Sequence, residues 1–218
     1  MGKTRIILAM FAVVLLASAF AYADSIVYDN GGPNQQDGNE ATEWIQTEDF
    51  TLKQATNITD IHFWDIETAP GYAGSITWWI TGDTGGNPDF NNVLGTGSAN
   101  PTRVNTQCGI FGIYCEYSNW IDISSVALLG NTPYHLAIHN GPVTNNQREE
   151  FYWETTNPNG TQTGLECDLG GACYNNWSNN GNEHAFYLTG NTVPEPGTLV
   201  LMGTGLLGGL AGLRRRFF

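Results

Sequence analysis

Between residues 24 and 192 the apolar residues recur in short runs at every second position, and no stretch of useful length repeats them at the helical spacing. Runs rich in β-branched and aromatic residues alternate with clusters of Gly, Asn, Asp and Pro. That pattern predicts strands over Ser25–Asp29, Glu43–Leu52, Asn57–Ile66, Ser75–Gly82, Asn92–Gly97, Thr102–Thr106, Ile113–Ile123, Tyr134–Asn140, Glu150–Thr155 and His184–Thr189. Several alternate cleanly. Ile76, Trp78 and Ile80 oppose Thr77, Trp79 and Thr81, and Tyr134, Leu136 and Ile138 oppose His135, Ala137 and His139. Phe151 and Trp153 flank Tyr152, and Phe186 and Leu188 flank Tyr187. Successive side chains of a strand point to opposite faces, so the first set of each pattern is the expected core.

The turns are marked by Asp29-Asn30-Gly31-Gly32-Pro33, Ala69-Pro70-Gly71, the 82–88 segment and Asn157-Pro158-Asn159-Gly160. Ten short strands with such punctuation predict one all-β domain over 24–192, an antiparallel β-sandwich of jelly-roll-like type. No internal repeat at a fixed period supports a propeller or solenoid.

Both ends read differently. In residues 1–23, Lys3 and Arg5 precede an apolar run from Ile6 to Phe20, and Ala21-Tyr22-Ala23 supplies a small-x-small cleavage site. This is the pattern of a secretory signal peptide. Residues 193–218 begin with Val193-Pro194-Glu195-Pro196-Gly197, which breaks regular structure. Sixteen uncharged residues follow, Thr198 to Leu213, then Arg214, Arg215 and Arg216. As a helix the uncharged stretch spans roughly 24 Å, a short transmembrane segment whose basic end stays on the cytoplasmic side.

This ordering of Pro194, Glu195 and Pro196, a Gly/Leu-rich span and a terminal Arg cluster resembles the PEP-CTERM sorting signal. The resemblance covers about the last 25 residues. It implies export by an exopolysaccharide-producing Gram-negative bacterium, passage through the inner membrane, and recognition by an exosortase-type processing enzyme. It does not speak to what the β-domain does.

The chain carries 8 Lys+Arg against 21 Asp+Glu, a net charge of −13. The bases sit mainly at the ends. Residues 24–192 hold 20 acids and only Lys53, Arg103 and Arg148, so that stretch is near −17. Phosphate backbones and anionic headgroups need Lys/Arg clusters, so nucleic acid is excluded as a partner of the domain.

Cys108, Cys115, Cys167 and Cys173 are the four cysteines, and an exported chain meets an oxidising compartment. Of the three connectivities, the short loops Cys108–Cys115 and Cys167–Cys173 are the simplest. Each contributes about 2–3 kcal/mol in the chain-entropy model.

Catalytic signatures are sparse. There is no Gly-x-Ser-x-Gly elbow, His-Glu-x-x-His or phosphate loop. His135 and His139 lie about 13 Å apart along one strand, too far to share a metal. A glycosidase needs paired carboxylates. Asp65 and Glu67 have strand spacing but run into a turn, and Glu149 and Glu150 point to opposite faces. Catalytic residues are therefore not assigned.

Calcium is a natural use of many acids, since it takes six to eight oxygens. The candidate ligands are Asp29 and Asp37 in one loop and Asp83 and Asp89 in another, without EF-hand spacing. The same residues equally make turns. Sugars stack on aromatic rings, and Trp79, Trp120, Tyr152 and Tyr187 fall opposite the inferred cores, with Trp177 in an Asn-rich loop. Aromatic rings left outside mark an interaction surface. The sequence therefore predicts an exported, non-enzymatic cell-surface or matrix protein that binds extracellular polysaccharide. A secreted glycan-active hydrolase and a purely structural matrix component are the alternatives.

Overall fold

A computed structural model describes residues 24–193, apart from 162, 171, 172 and 175, together with residue 204. The expected signal peptide at 1–23 and, residue 204 apart, the expected C-terminal apolar helix lie outside the described residues. Fourteen strands follow one another among those described. They are β1 (Ser25–Gly31), β2 (Gly38–Glu40), β3 (Trp44–Thr51), β4 (Thr56–Glu67), β5 (Ile76–Asp83), β6 (Pro88–Ala99) and β7 (Thr102–Ile110). Then come β8 (Tyr114–Leu128), β9 (Pro133–Asn140), β10 (Phe151–Thr156), β11 (Leu165–Asp168), β12 (Ser178–Asn179), β13 (Glu183–His184) and β14 (Phe186–Thr192).

All the pairings are antiparallel, and the strands form two sheets packed as a β-sandwich. One sheet has eight strands. It is centred on β4, which pairs with β8 along one side and with β14 and β10 along the other; β7 pairs β8 and β1 pairs β14. The other has six, in the order β12-β11-β3-β9-β5-β6. The chain crosses between sheets at β2–β3, β3–β4, β4–β5, β6–β7, β8–β9, β9–β10, β10–β11 and β12–β13, the winding expected of a jelly-roll-like sandwich.

The predicted inward faces form the core. Ile76, Ile80, Leu136, Ile138, Phe151, Trp153, Phe186 and Leu188 are fully buried between the sheets, with Phe63, Ile61 and Phe50. Trp78 fits because β6 places glycines against it: a Cβ on Gly97 would sit 3.0 Å from the indole, and one on Gly95 would sit 2.6 Å from Val126. The strands absent from the sequence reading are β2, β11, β12 and β13, each too short to display a period.

Two departures from simple alternation matter. His135, Ala137 and His139, expected opposite the core, are buried as well. His135 Nε2 lies 3.0 Å from Asp83 Oδ2, and the His139 ring lies between the Gly141 and Thr42 carbonyls. Asp65 and Glu67, at the end of β4, point inward with Phe63. There Arg103 meets both Asp65 oxygens at 2.9 Å and Glu67 at 3.2 Å, between the rings of Tyr72 and Tyr117.

The two ends of the domain leave from one place. Ser25 pairs with Gly190, and Asn191 Nδ2 donates to Asp24 Oδ1 at 2.6 Å. Both cysteine pairs are the short ones, Cys108–Cys115 and Cys167–Cys173.

Candidate functional site

The outer faces of the two sheets carry the aromatic residues, and they are finished differently. On the six-stranded sheet, Trp79 lies 5.7 Å from Phe90, which in turn stacks on Trp177 at 5.5 Å and meets Tyr174 at 4.9 Å. Tyr174 and Trp177 follow the Cys167–Cys173 bridge, so that loop folds back over the sheet. Beneath, the outward residues Ile45, Thr47, Ala137 and His135 are at most 1% exposed. Trp79 and Trp177, both expected at a glycan site, are thus brought together as a small packed cluster.

The outer face of the eight-stranded sheet has no such cover at its centre. A bulge on β4 between Ile58 and Asp60 resets the alternation, so that Asp60, His62 and Trp64 point outward while Ile61 and Phe63 point in. Register then sets three side chains in a row across three strands, Tyr187 on β14, His62 on β4 and Trp120 on β8. His62 and Tyr187 stack at 4.2 Å and 9°, so their rings stand on the sheet with edges and the Tyr187 hydroxyl outward. Trp64 touches Tyr187 at 5.8 Å. Trp120 has no ring partner among the described residues.

Trp64 pairs directly with Ser118, two residues before Trp120. Trp64 and Trp120 therefore occupy diagonal positions about 7–8 Å apart, with Ser118 and His62 at the other two corners. All of these residues are partly exposed. Along the strands the next row is acidic. Asp60 pairs with Asp122, and the two carboxyls are hydrogen-bonded. Asp60 Oδ2 also accepts from Thr59 and Thr189 at 2.7 and 2.6 Å. Burial opposes ionisation of Asp60, but these hydrogen bonds outweigh it and hold its carboxyl below the usual range. Its bond to Asp60 and the repulsion between them push Asp122 up. Burial holds the His62 imidazole below its usual value, so it is neutral near pH 7.

Tyr152 shares this face but stands at its far end, donating to Glu150 and packing on Tyr114. Beside it are two carboxylates that the sequence did not pair. Glu154 is hydrogen-bonded to Glu116, and burial and that neighbour push Glu154 up to about 8. Gln35 bonds both of them from above, through its backbone N–H and its side-chain amide. A cleft of about 270 Å³ lined by Gln35, Gln107 and the 108–111 tip adjoins them.

Each of the four candidate calcium ligands caps its own turn through one carboxylate oxygen. Asp29, Asp37, Asp83 and Asp89 accept from the backbone N–H groups of Gly31, Gly38, Gly86 and Asn91 respectively. Among the described residues no group of three or more His, Cys, Asp or Glu is placed to hold a metal ion. The acidic groups that sequence spacing missed also include Glu48, which is fully buried. Its Oε2 accepts from the His184 backbone N–H and lies 2.9 Å from His184 Nδ1. That ring stacks on Trp153.

Residues 192–216, starting at the last residue of β14, match the family model described as the PEP-CTERM protein-sorting motif. The chain carries a PEP-CTERM sorting signal. The match covers Pro194, Glu195, Pro196 and Arg214–Arg216, all outside the described residues, and it is 25 residues of the 218. A PEP-CTERM signal marks an exported protein that is sorted by an exosortase. No curated protein matches the chain at a significant level.

His62 and Trp64 escaped the sequence reading because the bulge displaces the β4 alternation. Phe90 and Tyr174 escaped because neither sits in a run with a clear period.

Proposed function

We propose that this is an exported, non-enzymatic cell-surface or matrix β-sandwich that binds extracellular polysaccharide through the outer face of its eight-stranded sheet. The observation that carries the reading is the contrast between the two outer faces. On one face Trp79, Phe90, Tyr174 and Trp177 pack ring against ring beside a disulfide-tied loop, whereas on the other the half-exposed Trp64 and Trp120 lie diagonally across β4 and β8, with no contact between the two indoles. Such a patch on an otherwise acidic, polar domain is the usual mark of an interaction surface. Indole faces suit the C–H faces of sugar rings, and Ser118, the Tyr187 hydroxyl and Asp122 supply hydroxyl partners.

The attachment points agree with this role. Asp24 and Asn191 lie side by side, so both ends of the described domain meet at one place. Cleavage after Ala23 and processing near Pro194 then release the domain to the surface or matrix.

A glycan array probed with the full-length chain in detergent micelles tests the proposal. Binding to at least one neutral polysaccharide class supports it. No glycan bound at about millimolar concentration overturns it and leaves a purely structural matrix role.

One observation favours a hydrolase as the second reading. Burial and the neighbouring Glu116 push Glu154 up to about 8 beside a cleft, which is how a general acid is kept protonated near neutral pH. Loss of reducing-end release from a bound polysaccharide in Glu154→Gln would establish it; no release by the wild-type chain would remove it.

A further inference from the structure

We infer that the outer face of the eight-stranded sheet selects polysaccharides bearing free amino groups, the Asp60–Asp122 pair receiving an ammonium while Trp64 and Trp120 take the sugar rings. This rests on the reading of that face as a polysaccharide-binding surface, and it names the class of chain bound.

The charge arrangement supports it. The acidic pair lies two residues along β4 and β8 from His62 and Trp120, about 6.6 Å, roughly one sugar ring beyond the Trp120 indole. Asp60 is held ionised by two hydroxyl donors, and Asp122 is exposed beside it.

No base answers these acids. Of the three bases in 24–193, Arg103 is turned into the interior by Asp65, Glu67 and Asn119. Lys53 lines a cleft along β1 whose wall includes Asp29 but neither Asp60 nor Asp122. Arg148 bonds to Tyr152, at the level of Ile66, about 20 Å along β4 from Asp60. His62 is neutral. A uronate or sulfated chain laid on the indoles would therefore meet like charge, whereas an amino sugar would meet the missing counter-ion. Each exposed pair changes affinity only by a factor of about two to five, so the effect is one of preference.

The test compares chito-oligosaccharide hexamers that differ only at nitrogen, free amine against fully N-acetylated, titrated into the full-length chain in micelles at low salt. The free-amine hexamer is expected to bind about five-fold more tightly, and the advantage should vanish in Asp122→Asn, an exposed position where folding is not at stake. Trp120→Ala should weaken both. Equal binding of the two hexamers, with both lost in Trp120→Ala, overturns the amine preference and keeps the polysaccharide surface. Binding of the free-amine hexamer that survives Trp120→Ala is general attraction to an acidic domain and overturns the inference as well. If neither hexamer binds, this inference fails; the wider reading then fails too only if the neutral glycans of the array are also unbound.

Discussion

Arg103→Met removes the one Lys or Arg that the described residues hold in the interior and should expose how that interior is balanced. Arg103 makes two 2.9 Å contacts to Asp65, one of 3.2 Å to Glu67 and one of 2.8 Å to Asn119. Its guanidinium lies 4.1 Å from the centre of the Tyr72 ring and 4.3 Å from that of Tyr117. Asp65 is fully buried, and burial already pushes its carboxyl up to about 7 despite the arginine. Removing one partner of such a pair leaves a buried charge without compensation and costs about 3–5 kcal/mol. For a domain of this size that lowers the melting temperature by about 6–20 °C. The loss should shrink on acidification from pH 7.5 to 5.5, because Asp65 without Arg103 takes up a proton. It should also shrink in Arg103→Met combined with Asp65→Asn, where Asn119 keeps an acceptor. Circular-dichroism melts of wild type and both variants at the two pH values measure this. A deficit below about 1 kcal/mol, or one insensitive to both pH and the second substitution, would refute the reasoning.

Other outcomes follow from the same structure. Asp65, Glu154 and Glu183 have folded values near 7, 8 and 7, all above their unfolded ones, so the folded state holds these protons more tightly. Their contribution is greatest at low pH and is lost as pH rises through the folded values; the melting temperature should fall from pH 6.5 to 9, with about 1 kcal/mol from Asp65 alone. A rise over that interval would contradict the assignment. Below pH 6.5 the sign reverses for His184, which burial pushes down to about 3, because the unfolded chain takes up its proton first. Replacing Cys167 and Cys173 with Ala should cost about 2–3 kcal/mol and free Tyr174 and Trp177 from Phe90, read as a red shift of Trp emission. Gly97→Val should destabilise the sandwich in a thermal melt, because a Cβ there already crowds the Trp78 indole at 3.0 Å.

The sequence made the sandwich legible wherever a strand was long enough to show period two. Ile76, Trp78 and Ile80 are the clear case, since all three are buried and Thr77 and Trp79 between them are not, although Thr81 beyond them is buried too. The same rule misjudged β9, because a face can be buried by a loop rather than by a second sheet, and nothing local in His135-Ala137-His139 reports that loop. The sorting tail was legible because it is a linear signal read in order. The candidate site was only half legible. Trp120 and Tyr187 were found by alternation, but their companions His62 and Trp64 depend on a bulge, and the Glu116–Glu154 and Asp60–Asp122 pairs depend on strand order. Residues far apart in the chain become neighbours through the β4–β8 and β4–β10 pairings, which no single segment encodes.

The most direct test of the account compares polysaccharide affinity across four single variants of the full-length chain, Trp64→Ala, Trp120→Ala, Trp79→Ala and Trp177→Ala, with folding checked by thermal melts. The account predicts that the first two lose about tenfold or more in affinity while staying folded, and that the last two bind like wild type whatever they cost in stability. Binding lost in Trp79→Ala or Trp177→Ala and kept in Trp64→Ala and Trp120→Ala would place the site on the other sheet and contradict it.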